Sequence, residues 1–215
     1  MGPWFMQKNL NDVFMLVGDR RANEPWLEAP EGGIVFVRRA QEHEILDIHE
    51  LTKREISADV APLSVVQDVY KRNRDTFWTV NRASDVSKQD AQMVGYVGLL
   101  ILNEIGRERL EAGAFDAHEP DIRLLVPSNT RPAAIYVWAI IARKVAKHTA
   151  HLMAHAMGPE LYAGVPLFAT AGTLGGLNLM KGYGFSGARA SGGGGLGQLF
   201  RLDQVRGAVV SSSAA

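Results

Sequence analysis

Ser128, Asn129 and Thr130 stand in a row between Pro127 and Pro132, directly after Asp121-Ile-Arg-Leu-Leu-Val126 and ahead of an apolar stretch from Ala133. Read as a strand, a polar turn and a helix, the stretch leaves several backbone N–H groups unpaired at the positive end of a helix dipole. That arrangement attracts an anion, and a phosphate above all. Ser128, Asn129 and Thr130 are therefore candidate phosphate-side groups, flanked by Val126, Arg131 and Ala134. The same hydroxyls and amide would serve equally as a helix N-cap, and Arg131 as an exposed first-turn residue.

Three carboxylates are placed where a groove beside such a turn could use them. Glu104, Glu119 and Asp121 fall at the ends of expected strands and are candidate proton acceptors; as plain loop residues they would simply be solvated. His148, His151 and His155 are spaced i, i+3, i+7 and share one helix face. Only Glu160, beyond Gly158-Pro159, could complete a metal set, so the spacing favours surface histidines, or a contact with a second copy of the chain, over a metal site.

The elements that must position these residues follow from periodicity. Ile34–Arg38 is β-branched and aromatic after Gly32-Gly33 and predicts a strand; Gln41–Ser57 and the segment from Pro62 to Arg74 carry apolar residues at helical spacing. Thr76–Asn81 and Gln92–Leu102 predict a two-stranded hairpin, with Gly95 and Gly98 marking a simple bend, in preference to a bulge or a close approach to ligand. Asn103–Pro120 is polar and predicts a loop. Asp121–Val126 is the central strand and the residues from Ala133 a long helix, whose Trp138, Ile141, Ala142 and Val145 would face the sheet. Val165–Thr170, Gly172–Lys181 and Leu196–Leu202 predict strand, helix and strand. Residues 1–32 are expected to form an N-terminal arm with a short helix around Leu10–Val17, residues 33–203 the domain, and residues 204–215 a fraying tail.

Composition sets the partner class. The 215 residues hold 23 basic and 23 acidic side chains, with no long run of either sign, which argues against nucleic acid and anionic membrane. The absence of cysteine excludes disulfides and thiolate catalysis and fits a reducing compartment. No apolar run is long enough to span a bilayer, and the N-terminus has no secretion-signal pattern, so a cytoplasmic protein is expected.

The order of elements, together with Gly182-Tyr-Gly-Phe185, resembles the GNAT superfamily of N-acetyltransferases over roughly residues 33–203. The resemblance implies a mixed, mostly antiparallel α/β (α+β) sheet with helices on both faces, splayed at a central strand. It implies transfer of an acetyl or other acyl group from acetyl-CoA or another acyl-CoA to the amine of a small molecule or peptide. It also implies a loop of pattern Arg/Gln-x-x-Gly-x-Gly/Ala that holds the donor's pyrophosphate. Laid on Arg131–Tyr136, that loop puts Ala134 and Tyr136 at the glycine positions; the family's Asn falls on Thr173 and its tyrosine acid on Met180, leaving Tyr183 or Tyr162 as substitutes. The departures keep two alternatives open: a fold-mate without catalysis that acts in binding or oligomerisation, possible as a homodimer, or an acyltransferase served by a carrier protein.

Overall fold

The computed structural model describes residues 26–29, 31–142, 144–157, 162–188 and 195–203. The expected helix at 10–17, most of the arm, part of the glycine run at 191–195 and the tail lie outside the described residues. A single sheet of eight strands organises the rest, in the order β1-β2-β3-β4-β5-β6-β8-β7. The strands are β1 (Trp26–Glu28), β2 (Ile34–Arg39), β3 (Phe77–Ala83), β4 (Gln92–Leu102), β5 (Ala134–Ala142), β6 (Leu167–Thr170), β7 (Ser186–Gly187) and β8 (Leu199–Leu202). Every neighbouring pair is antiparallel except β5 and β6, which run parallel. The result is a mixed α/β fold with a mostly antiparallel sheet.

Helices cover both faces. On one face lie α1 (Ile45–Glu55) and α2 (Leu63–Arg72), whose Ile45, Ile48, Val66 and Tyr70 pack on Phe77, Tyr96 and Ile141 of the sheet. Helix α3 (Glu104–Ala112) joins this face through Leu110, which clusters with Leu100, Leu102, Tyr136 and Phe168. On the other face, Leu152 and Met153 of α4 (Ala146–Ala156) pack on Val35, Val37, Val97 and Ile135. Helix α5 (Leu174–Gly182) closes the β6–β8 end through Leu177 against Ala171 and Phe200.

Most expected elements appear with their boundaries shifted by up to four residues, and three do not. Asp121–Val126 is not a strand: Ile122–Leu124 form a 3-10 turn capped by the Asp121 side chain, which accepts from the Arg123 N–H, and Leu125 makes one isolated bridge to Leu102. The stretch from Ala133 is not a helix but β5, whose Ala134-Ile-Tyr-Val-Trp-Ala-Ile-Ile-Ala142 is rich in the β-branched and aromatic residues that suit a pleated strand. Its apolar run has no helical stripe because helices pack on both sides of it. The polar loop expected at 103–120 contains α3, started by the Asn103 side chain accepting from the Gly106 N–H at 2.9 Å and stopped by Gly113 in the left-handed region at φ 74°. Sequence reading treated Trp26–Glu28 as arm, whereas it pairs with β2 and extends the sheet.

Of the two glycines of β4, one serves a close approach of two strands rather than of a ligand, and the other borders a bulge. A Cβ on Gly95 would sit 1.9 Å from the carbonyl oxygen of Ile141, so only glycine allows the two backbones to approach there. Gly98 lies against the Phe77 ring, next to the register shift between Gly98 and Leu99.

Candidate functional site

The geometry around β5 divides the candidate residues into two groups at opposite ends of that strand. At its start, Val126 is buried, donates its N–H to the Ile101 carbonyl and accepts from the Asn73 side chain. Ser128 Oγ accepts from the Arg74 N–H at 3.0 Å, and the Thr130 N–H donates to the Pro127 carbonyl. Asn129 holds a positive φ of 63°, and Arg131 reaches the Ala163 carbonyl at 2.6 Å. Ala134 is fully buried at the first register pair with Leu102. No helix follows this turn in the chain, and the helix that starts beside it, α3, is capped by the Asn103 side chain, so the uncapped dipole expected from the sequence is not at this end. Glu104 belongs to the same end, in the first turn of α3, and is ion-paired with Arg107 at 3.0 Å. Asp121 is held by Arg123 at 2.7 Å, and that guanidinium lowers its carboxyl to about 2, so it stays an anion engaged with arginine at neutral pH.

At the exit of β5 the conditions expected of the first turn are met. The chain turns after Ala142, with the Val145 N–H bonded to the Ala142 carbonyl and Lys144 in the left-handed region at φ 64°. It then opens α4, whose N-cap residue Val145 supplies no side-chain cap. The first amides of α4 therefore have neither an intrahelical acceptor nor a capping side chain. Lys144 and Lys147 are exposed beside them, with Lys144 Nζ 3.0 Å from Glu31 Oε1. Glu31 is held below the usual carboxylate range by its bonds from Lys144 and Arg82. By contrast, Asn103 caps α3 and Thr173 caps α5, the latter accepting from the Gly176 N–H at 3.1 Å.

Between the two ends, β5 parts from β6. The strands pair only over Ile135–Leu167, Tyr136–Phe168 and Val137–Ala169, while Thr170 goes on to pair with Leu199 of β8 but not with β5. At the same level β5 carries a bulge: Gly98 faces Ala139 and Leu99 faces Val137, so Trp138 has no partner on β4. From Trp138 to Ala142 the edge turned toward β6 has no strand against it among the described residues. Bulged strands often re-aim backbone groups beside a site.

Tyr183 and Thr173, both named from sequence, belong to this splayed side through α5. The Tyr183 hydroxyl donates to the Lys147 carbonyl at 3.2 Å, its ring meets His151 edge-on at 5.9 Å, and burial raises its pKa. Burial, with His148 as a second cause, lowers the pKa of His151 and favours its neutral form. Met180, at the family's tyrosine position, packs against the Ala171, Leu177 and Phe200 cluster, and Tyr162 is buried with its hydroxyl 2.5 Å from Asp75.

The α1/α2/α3 face of the splay is hollowed by two lobes that share Tyr136 and Ala117. One, of about 430 Å³, runs from Phe115 to Thr170 and Leu199; the other, of about 290 Å³, lies under α1 and the segment that joins it to α2. The Trp138 indole N–H donates to the Ala117 carbonyl at 2.7 Å, fixing the 113–120 segment over the groove. Sequence reasoning missed Lys144, Lys147, Trp138 and the buried pair made by the Tyr96 and Thr52 hydroxyls, 2.6 Å apart in the smaller lobe. The signal for the first three was the basic Lys144-Val-Ala-Lys147 step after an aromatic, β-branched run, which reads as strand, turn and helix once the run is taken as a strand. Among the described residues no helix is long and apolar enough to cross a membrane. Compared with known proteins, the chain matches no family model and no curated protein.

Proposed function

We propose that the chain is a GNAT-like acyltransferase that moves an acetyl or longer acyl group from acyl-CoA to an amine. The observation that carries the reading is the parting of parallel β5 and β6 at the Trp138 bulge, with an uncapped helix amino end where β5 leaves the sheet. A thioester needs such a slot: a strand edge with free backbone groups beside a phosphate-binding turn. The strand–turn–helix required by the resemblance is supplied by Ala142–Val145 rather than by Pro127–Pro132. Laid here, the family's loop begins at Arg143, which lies outside the described residues, and puts Ala146 and His148 at its two small-residue positions. Tyr136 then lies inside the sheet, and His148 takes the position it held when the loop was laid on Arg131–Tyr136.

In this reading the α4 amides, Lys144 and Lys147 hold the donor's phosphates. The open edge of β5 at Trp138 offers backbone N–H to the thioester oxygen as it becomes an oxyanion. The acceptor amine enters from the two-lobed groove and attacks the carbonyl carbon. The C–N bond forms, the C–S bond breaks, and the proton released from nitrogen reaches the thiolate sulfur through water in the groove. Holding the two reactants side by side accounts for most of the acceleration such a transfer needs. Neither Asp121, locked to Arg123, nor Glu104, paired with Arg107, is required.

The test is direct titration of the protein with acetyl-CoA, free CoA and a long-chain acyl-CoA. Micromolar affinity is expected for at least one thioester, followed by acyl transfer in an amine screen.

A further inference from the structure

The smaller lobe limits what can be acylated, and its buried hydroxyl pair has a fixed hydrogen-bond direction. No Asp, Glu, Lys or Arg lines it; its walls are Ile48, Ile56, Val66, Phe77 and Trp138, with Tyr96 and Thr52 as a hydroxyl pair, and its other polar residues are His49, Tyr136 and the exposed His118, which lies 3.5 Å from Asp59. A cationic polyamine or an amino-acid carboxylate would lose its hydration there without a counter-charge. The volume of about 290 Å³ exceeds the roughly 150 Å³ cavity that takes benzene, and suits a bicyclic or arylalkyl body.

Hydrogen-bond direction narrows the choice. The single proton of the Thr52 hydroxyl goes to the Ile48 carbonyl at 2.7 Å, so the 2.6 Å contact with Tyr96 must be donated by Tyr96. The Tyr96 oxygen keeps acceptor capacity and has no further donor to offer. The neighbouring His49 commits Nε2–H to the Ala61 carbonyl at 3.1 Å. An occupant can therefore satisfy the lobe's main polar point only by donating to it. Burial pushes the Tyr96 phenol up to about 12, which keeps it neutral.

We infer that the lobe takes an arylalkyl amine whose ring carries its own hydrogen-bond donor, an indole N–H or a phenol O–H, received by Tyr96. This rests on the acyltransfer reading for the fate of the amine, but the binding itself does not need a donor. The ring sits beneath α1 and the alkyl amine extends past Trp138 toward the splay.

The experiment is calorimetric titration, without donor, of tryptamine, its 1-methyl analogue, spermidine and glycine into wild type, Tyr96→Phe and Ala139→Trp. The inference expects tryptamine to bind best and the 1-methyl analogue about five- to tenfold more weakly, a difference that disappears in Tyr96→Phe. Ala139→Trp, which fills the lobe from β5, should abolish tryptamine binding. Equal binding of the two indoles, tighter spermidine or glycine binding, or tryptamine binding untouched by Ala139→Trp would each overturn it. Because the methyl analogue tests the contact in wild type, an unstable variant does not remove the test. If a long-chain acyl-CoA displaces tryptamine from wild type while acetyl-CoA does not, the lobe holds the donor's chain and the inference fails. Tryptamine binding with no acyl-CoA binding would instead remove the acyltransfer reading and leave the lobe's ligand class standing.

Discussion

The two turns that bound β5 differ in a way their sequences conceal. The first, Pro127–Pro132, is polar and rich in hydrogen-bonding side chains, yet two of these are spent on the fold, Ser128 on the Arg74 amide and Arg131 on the Ala163 carbonyl, and the Thr130 backbone N–H is spent on the Pro127 carbonyl. The second, Ala142–Val145, has no serine, threonine or asparagine, and it opens a helix that no side chain caps. Anion binding depends on backbone groups left unpaired, and a side chain that could bind an anion is as able to satisfy the chain itself. Composition pointed to the first turn; the uncapped helix start is at the second, the length of a nine-residue strand away, roughly 30 Å.

The contrast can be broken most severely at Gly95. Its Cβ would meet the Ile141 carbonyl just before the second turn, so Gly95→Ala should cost about 3 kcal/mol or more by denaturant unfolding and pull the exit of β5 out of place. A variant as stable as wild type would mean that β4 and β5 do not approach there as described. Next in size is charge reversal beside α4. Lys144→Glu with Lys147→Glu should weaken acyl-CoA binding by about ten- to a hundredfold, whereas Thr130→Val, at the first turn, should leave it unchanged.

Capping gives a smaller effect that sharpens the comparison. Thr173→Ala removes the cap of α5 and should lower stability by about 1 kcal/mol. Smallest is the titration of Asp121. Its depressed pKa means that its pairing with Arg123 is complete above the ordinary carboxylate value of 3.8 and is lost only as pH falls toward 2. Carbon-13 titration should find a midpoint near 2, and Asp121→Asn should leave acyl transfer at pH 7 intact. A large loss of turnover in that variant would return the carboxylate to the reaction.

What could be read from the sequence follows from where each element is buried. Helices α1 and α2 and strand β4 were legible: the helices bury one face, and β4 is a long apolar run bounded by polar segments. Strand β5 was not, because it is covered on both faces and its apolar run has no period to distinguish strand from helix. Only its Ile, Val, Trp and Tyr content favoured the strand. Helix α3 was hidden by its polarity, although Asn103 and Gly113 mark its two ends as cap and stop. Taking β5 for a helix put the expected strand–turn–helix, and with it Val126, Ser128, Asn129, Thr130, Arg131 and Ala134, at the start of that strand, where no helix follows the turn. Thr173 and Tyr183 stayed beside the splay because α5 was placed correctly. The Trp138 bulge and the Tyr96–Thr52 pair depend on register and long-range contact, which local pattern does not carry.

The central claim is that acyl-CoA is held at the exit of β5, and calorimetry on three proteins tests it. Wild type and Thr130→Val should bind an acyl-CoA with the same micromolar affinity, and the Lys144→Glu, Lys147→Glu protein should bind it at least tenfold more weakly. No binding by wild type, or loss in Thr130→Val with the lysine variant unaffected, would contradict it.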